Sequence, residues 1–287
     1  MKKFKLATRG SRLALAQAHL IQEILSKAGM PSEVVIVSTK GDKNKVSPLA
    51  KIGGDGLFVR EIEKAVISEE ADIAVHCGKD LPFETDERLI VAGVTKSADC
   101  RDCMVSIKGR MPDKKPVIGT GSPRRMTELT GLHKDAVFKD IRGNITTRIE
   151  KLKNGDYDAV ILAKAGLDRI GFEGEGYEIR VFETSEMIPA PCQGILALQC
   201  RKDDENTRSL IERITDEATF RRFEVERHLF CLLHADCTSA VGVNAGISGE
   251  DMGELEIKAM YEGRRASAAG RYEQFRELCE ELYHKLT

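Results

Sequence analysis

From Phe4 to Leu162 the chain alternates short apolar runs with amphipathic segments, and no other feature limits its fold so tightly. Phe4–Thr8, Val34–Ser38, Asp72–His76 and Leu89–Val94 read as strands. They are short, apolar or β-branched, and bounded by turn residues, as strands of a helix-covered sheet are. Ser11 can cap a helix whose apolar positions Leu15, Ala18, Ile21, Ile24 and Leu25 recur at helical spacing. Phe58–Ile67 is amphipathic, with Ile62, Ala65 and Val66 on one side. The pattern then restarts, with a strand over Pro116–Thr120, a helix from about Pro123, a strand over Ala136–Lys139, a helix opened by Asn144 and a strand over Asp158–Leu162. Repeated βα units predict an α/β fold with ligands at the loops after the strand C-termini.

The 287 residues allow roughly two domains. Two stretches, Lys96–Asp102 and Ser185–Gly194, read as crossings between lobes. Beyond Asp203 the character changes to a long helix over Ala218–Leu233, strands near Val241–Ile247 and Leu255–Tyr261, and a final helix over Tyr272–Lys285. That reads as a small α+β unit. Lys and Arg number 44 against 46 Asp and Glu, which argues against a general nucleic-acid binder. A mean hydropathy of −0.28 and short apolar runs argue against a membrane-embedded chain. Met1-Lys2-Lys3-Phe4-Lys5 opens no apolar signal core, so a cytoplasmic location is expected. The eight cysteines are then expected as thiols. Cys100 and Cys103 form a single C-x-x-C, and His228, His234 and Cys237 fit no zinc spacing, so no metal site is expected.

Arginines concentrate just past the strand ends: Arg9, then Arg124 and Arg125 after Gly119-Thr120-Gly121-Ser122, then Arg142, with Arg148 along the next helix. A single arginine is usually solvated surface. Several beside Gly/Ser/Thr turns and helix N-termini point to an anionic ligand. The spacing does not distinguish carboxylate from phosphate. The Gly119–Ser122 turn lacks the P-loop spacing and its Lys, which disfavours a nucleotide enzyme. Asp80 follows a strand and a Gly78-Lys79 step. A turn aspartate is ordinarily just exposed, but among cationic loops it can stabilise a developing cation or shuttle a proton. Periodicity gives no reason to prefer Cys237 over the other cysteines.

In order along the chain stand Ala7-Thr8-Arg9-Gly10-Ser11, Gly53-Gly54-x-Gly56-Leu57-Phe58, Ala74-Val75-His76-x-x-Lys79-Asp80-x-Pro82 and Ile118-Gly119-Thr120-x-Ser122-x-Arg124-Arg125. Arg142-Gly143-Asn144-x-x-Thr147-Arg148, Ala163-x-Ala165-Gly166-Leu167-x-Arg169, Pro189-Ala190-Pro191-x-Gln193-Gly194 and Glu226-Arg227 follow. This colinear series closely resembles the porphobilinogen deaminases (hydroxymethylbilane synthases). The resemblance implies two type II periplasmic-binding-protein-like α/β lobes, 1–95 with 195–212 and 96–194, and a small α+β C-terminal domain, 213–287. It implies a dipyrromethane cofactor in thioether linkage to Cys237. It further implies polymerisation of four porphobilinogen molecules with loss of ammonia, then hydrolytic release of hydroxymethylbilane.

By the same resemblance, Ser11, Lys79, Asp80, Thr120, Ser122, Arg124, Arg125 and Arg142 face the cofactor. Arg9, Arg142, Arg148, Arg169 and Gln193 face substrate, and Phe58 belongs to an active-site loop. Asp80 resembles the catalytic carboxylate that hydrogen-bonds pyrrole N–H groups and steadies the azafulvenium cation. A monomer in heme biosynthesis is implied, with porphobilinogen as its small-molecule partner. The chain departs from the family pattern at Asp55, Cys77, Ser97, Pro123, Cys192, Ala235 and Asp236. These departures keep open an impaired paralogue, beside a non-catalytic two-lobed anion-binding protein.

Overall fold

The computed structural model describes residues 3–38, 59–235, 238–249 and 251–287. By internal packing the chain divides into two compact units, 1–98 with 195–224, and 99–194 with 225–287.

The first unit carries β1 (Phe4–Arg9), α1 (Arg12–Lys27), β2 (Ser32–Val37), α2 (Arg60–Ile67), β3 (Ile73–Cys77), β4 (Leu89–Val94), β10 (Leu196–Arg201) and α6 (Glu205–Arg213). Its sheet runs β2-β1-β3-β10-β4. β1 pairs in parallel with β2 and β3, while β10 is antiparallel to both its neighbours. Alternate side chains leave a strand on opposite faces. Leu6 therefore packs with Ile21 and Leu25 of α1 and Leu210 and Ile211 of α6, whereas Ala7 packs with Ile62 and Val66 of α2. Both faces are covered, which accounts for the continuously apolar strands.

The second unit repeats the plan. It carries β5 (Asp102–Ile107), β6 (Val117–Gly119), α3 (Pro123–Leu132), β7 (Val137–Lys139), α4 (Ile145–Lys153), β8 (Ala159–Ala163), α5 (Lys164–Arg169) and β9 (Tyr177–Val181). The sheet runs β7-β6-β8-β5-β9, with β6 parallel to β7 and β8, and β5 antiparallel to β8 and β9. In each sheet one antiparallel strand sits between the third strand and the edge. That shared order is the type II periplasmic-binding-protein lobe, present twice. Val105, Val160 and Leu162 pack on α4 and α5, and Ile118, Ala159 and Ile161 pack on α3 and Phe182.

The same unit holds an antiparallel meander, β11 (Val241–Ser248), β12 (Glu254–Tyr261) and β13 (Arg264–Arg271). Its core joins Val243, Ala245 and Ile257 to Val225 and Leu229 of α7 (Glu217–Leu232) and to Leu282 and Leu286 of α8 (Phe275–Leu286). A 3-10 turn, Tyr272–Gln274, precedes α8, so the last helix starts three residues later than its pattern suggests.

Candidate active site

In the first unit the expected residues collect at one sheet edge. Arg9 ends β1, and Ser11 N-caps α1, its Oγ accepting from the Ala14 N–H at 3.2 Å. Lys79 and Asp80 are exposed in a 3-10 turn, Gly78–Asp80, directly after β3. Parallel pairing of Leu6 with Ile73 and Ala7 with Ala74 aligns the C-terminal ends of β1 and β3, so all four stand at the same edge. The Asp80 turn is held from beneath. The Gly78 N–H donates to the Ile195 carbonyl at 2.9 Å, and the Gln17 amide donates to Cys77 Sγ at 3.0 Å. Cys77, where the family commonly has serine, thus keeps a polar contact to α1.

Beneath this edge lies a buried polar chain that the sequence motifs did not single out as a group. His76 Nε2 donates to Gln199 Oε1 at 3.0 Å, and Gln199 Nε2 donates to Glu63 Oε1 at 3.0 Å. Burial lowers His76 to about 4, and burial raises Glu63 above the usual carboxylate range. The sign follows from proton counting. Between about 6.5 and 4 the unfolded chain binds a proton at His76 that the folded chain refuses, so stability falls as pH falls through that window. Glu63 acts oppositely, since the fold retains its proton above the ordinary carboxylate pKa. Relative to a His76→Gln variant, the wild type is expected to lose up to about 3 kcal/mol between pH 6.5 and 4, read by denaturant melts. Parallel pH profiles for the two proteins would refute the assignment.

In the second unit the ends of β6, β7 and β8 also share one edge, because the three pair in parallel. Thr120 Oγ1 accepts from the Ser122 N–H at 3.2 Å, and Ser122 caps α3 by accepting from the Arg125 N–H. Pro123 stands at the first helical turn, where its missing N–H costs nothing. Arg124 and Arg125 are buried, and both guanidiniums bind the fully buried carboxylate of Asp102. Sequence reasoning expected these two arginines at cofactor carboxylates and passed over Asp102. An acid opening the apolar run Cys103-Met104-Val105 was the available signal, since a buried charge needs a partner.

Arg142 pairs with Asp140 at 3.3 Å while remaining about one-third exposed. Arg148 donates from Nε to the Gly143 carbonyl at 2.9 Å. Burial, with the Arg125 and Arg142 cations nearby, lowers Arg148 to about 10, partly offset by Asp140. A guanidinium pushed down by burial and like charges is stabilised by an arriving anion. This donor set fits a group bearing carboxylates, as a dipyrromethane does. Arg169 donates to the Gly194 carbonyl at 2.6 Å, and Gln193 Nε2 donates to the Cys100 carbonyl at 2.7 Å and to Asp102 at 3.2 Å. Phe58 and Cys237, the expected loop residue and the expected cofactor anchor, lie outside the described residues.

The family described as "Porphobilinogen deaminase, dipyromethane cofactor binding domain" matches residues 4–209. The chain belongs to the porphobilinogen deaminase family. A porphobilinogen deaminase of Exiguobacterium sibiricum is 40% identical over 257 residues, covering 88% of this chain and 83% of that protein. A probable porphobilinogen deaminase of Picrophilus torridus is 38% identical over 242 residues, covering 84% of each. Among solved structures, the periplasmic VFT2 domain of Bordetella pertussis BvgS aligns over 74% of this chain and 86% of that one, at 15% identity and a TM-score of 0.44. The matched stretch spans the strand-end residues from Arg9 to Gln193.

Proposed function

We propose that this chain polymerises four porphobilinogen molecules head to tail with loss of ammonia and releases hydroxymethylbilane by hydrolysis. The observation that carries the reading is the division of charge. An exposed carboxylate, Asp80, stands at one strand-end edge, and the other unit's edge gathers Arg124, Arg125, Arg142 and Arg148. Each substrate brings an acetate and a propionate, so chain growth accumulates the charge that arginines offset. Bidentate guanidinium contacts suit those carboxylates. Asp80 accepts hydrogen bonds from pyrrole N–H groups and stabilises the cation left when ammonia departs. Lys79 and Ser11 stand at the same edge as Asp80; Arg9, Arg148, Arg169 and Gln193 are the substrate contacts of this reading, and Phe58 is its active-site loop residue.

A dipyrromethane on Cys237 supplies the tethered pyrrole that makes each coupling effectively intramolecular. We divide the chain into two lobes, 1–95 with 195–212 and 96–194, and a third domain, 213–287, that bears this cysteine. No helix among the described residues is long and apolar enough to cross a membrane. The enzyme works as a cytoplasmic monomer.

Intact-protein mass spectrometry is the direct test. The purified chain should carry a dipyrromethane-sized adduct that maps to Cys237 by peptide analysis. A bare chain that binds porphobilinogen without consuming it would instead mark a binding protein. Arg142→Ala should lower product formation roughly 10- to 100-fold, because a charged, oriented contact is worth about 1.5–3 kcal/mol. Its melting temperature should stay near wild type, since the Arg142–Asp140 ion pair is solvent-exposed and such pairs contribute little.

A further inference from the structure

Asp102 is the most heavily bonded carboxylate among the strand-end residues described above. It has no solvent exposure and opens β5, whose register fixes it opposite Ala163. Its carbonyl accepts from the Phe182 N–H at 3.0 Å, so its backbone is pinned as well. Oδ2 accepts from Arg124 Nη1 at 2.7 Å. Oδ1 accepts from Arg125 Nε at 3.0 Å and Nη2 at 2.7 Å, and from Gln193 Nε2 at 3.2 Å. The guanidiniums are tied at further points, Arg124 Nη1 to the Ile188 carbonyl at 2.8 Å and Arg125 Nη1 to the Ile161 carbonyl at 2.9 Å.

Three side chains that the functional reading assigns to cofactor or substrate therefore converge on one buried acid. We propose that Asp102 is a positioning residue that presets Arg124, Arg125 and Gln193 for carboxylate recognition. The inference rests on the deaminase reading and deepens it.

Two physical arguments support it. Arg124 and Arg125 are adjacent in sequence and both buried, so without a shared anion their charges repel each other, and Arg125 repels Arg148 as well. Burying such charges is tolerable only when they are paired and hydrogen-bonded. Each long guanidinium side chain also has rotamer freedom to lose on meeting a ligand, and fixing it beforehand removes that cost from binding. The charge balance stays cationic. Arg124, Arg125, Arg142 and Arg148 outnumber Asp102 and Asp140 by two, so the preset cluster still attracts an anion.

The test uses the full chain with its cofactor, comparing Asp102→Asn and Asp102→Glu with wild type by thermal melting, intact mass and steady-state kinetics on porphobilinogen. D102N removes the charge, and D102E keeps it but moves it by one methylene. D102E keeps the anion that the buried arginines need, so it tests the geometry where D102N is too unstable to purify. If Asp102 positions the arginines, the folded, cofactor-loaded D102E protein shows a KM for porphobilinogen raised at least fivefold. If Asp102 serves only to neutralise buried charge, D102E restores the wild-type KM to within fivefold and only the melting temperatures differ, and the proposal is overturned. A wild type that neither carries an adduct nor consumes porphobilinogen defeats the functional reading itself, a separate outcome from a normal KM in D102E.

Discussion

Asp80→Ala is expected to cut tetrapyrrole formation at least about 100-fold while leaving the melting temperature within about 2 °C of wild type. The activity loss follows from the role. Removing one preorganised group aimed at developing charge typically costs about 10²–10³ in rate. The intact fold follows from the geometry. Asp80 is exposed, and the turn that carries it is held by the Gly78 N–H on Ile195, by the Leu81 N–H on Gly78 at 3.2 Å and by the buried Leu81 side chain. None of these contacts uses the carboxylate. Intact mass must be read first, so that a loss of turnover is separated from a loss of the cofactor. A variant that loads the adduct and still turns over near the wild-type rate would remove Asp80 from the mechanism. Asp80→Asn separates charge from shape. An amide still accepts one hydrogen bond, so activity that survives in Asn and not in Ala would assign the role to hydrogen bonding instead of charge.

The parts of the fold legible in the sequence were those whose local pattern and tertiary environment agree. β1, β3, β4 and β8 are apolar because helices cover both faces of their sheets, and Ser11, Ser122 and Asn144 cap helices where hydroxyl or amide side chains precede an apolar period. β5 and β10 went unread because each adjoins a crossing, where the polar and proline-rich residues of Lys96–Asp102 and Ser185–Gly194 dominate. Their antiparallel insertion between other strands is also a long-range property that no window of sequence holds. β13, Arg-Arg-Ala-Ser-Ala-Ala-Gly-Arg, has little intrinsic strand preference and is a strand through its pairing with β12 and its packing under α8. The anion-binding character of the site was legible in the arginines past the strand ends. Asp102, Gln199 and Glu63 were not, because their roles depend on partners 20 or more residues away.

Glu226→Ala is expected to destabilise the chain by about 3–5 kcal/mol, lowering the melting temperature by roughly 10 °C. Glu226 has no solvent exposure, and its two oxygens serve two backbone donors, Cys192 N–H at 2.5 Å and Ala245 N–H at 2.9 Å. Both donor residues are buried, so truncation leaves two N–H groups without this acceptor and without access to water. The first of these sits in a costly conformation. Cys192 has φ 59°, where the family usually has glycine, and a side chain with a Cβ occupies that region only under outside restraint. The Glu226 carboxylate supplies such a restraint, and it ties α7 and β11 to the Pro189–Gly194 segment that delivers Gln193 to Asp102. Glu226→Gln should lose about half as much, because one amide oxygen can serve one donor while the NH₂ group opposes the other. Cys192→Gly in the Glu226→Ala background should recover part of the loss, since glycine needs no restraint at that φ. Melts showing Glu226→Ala within about 2 °C of wild type would mean that the buried carboxylate is not what holds this segment.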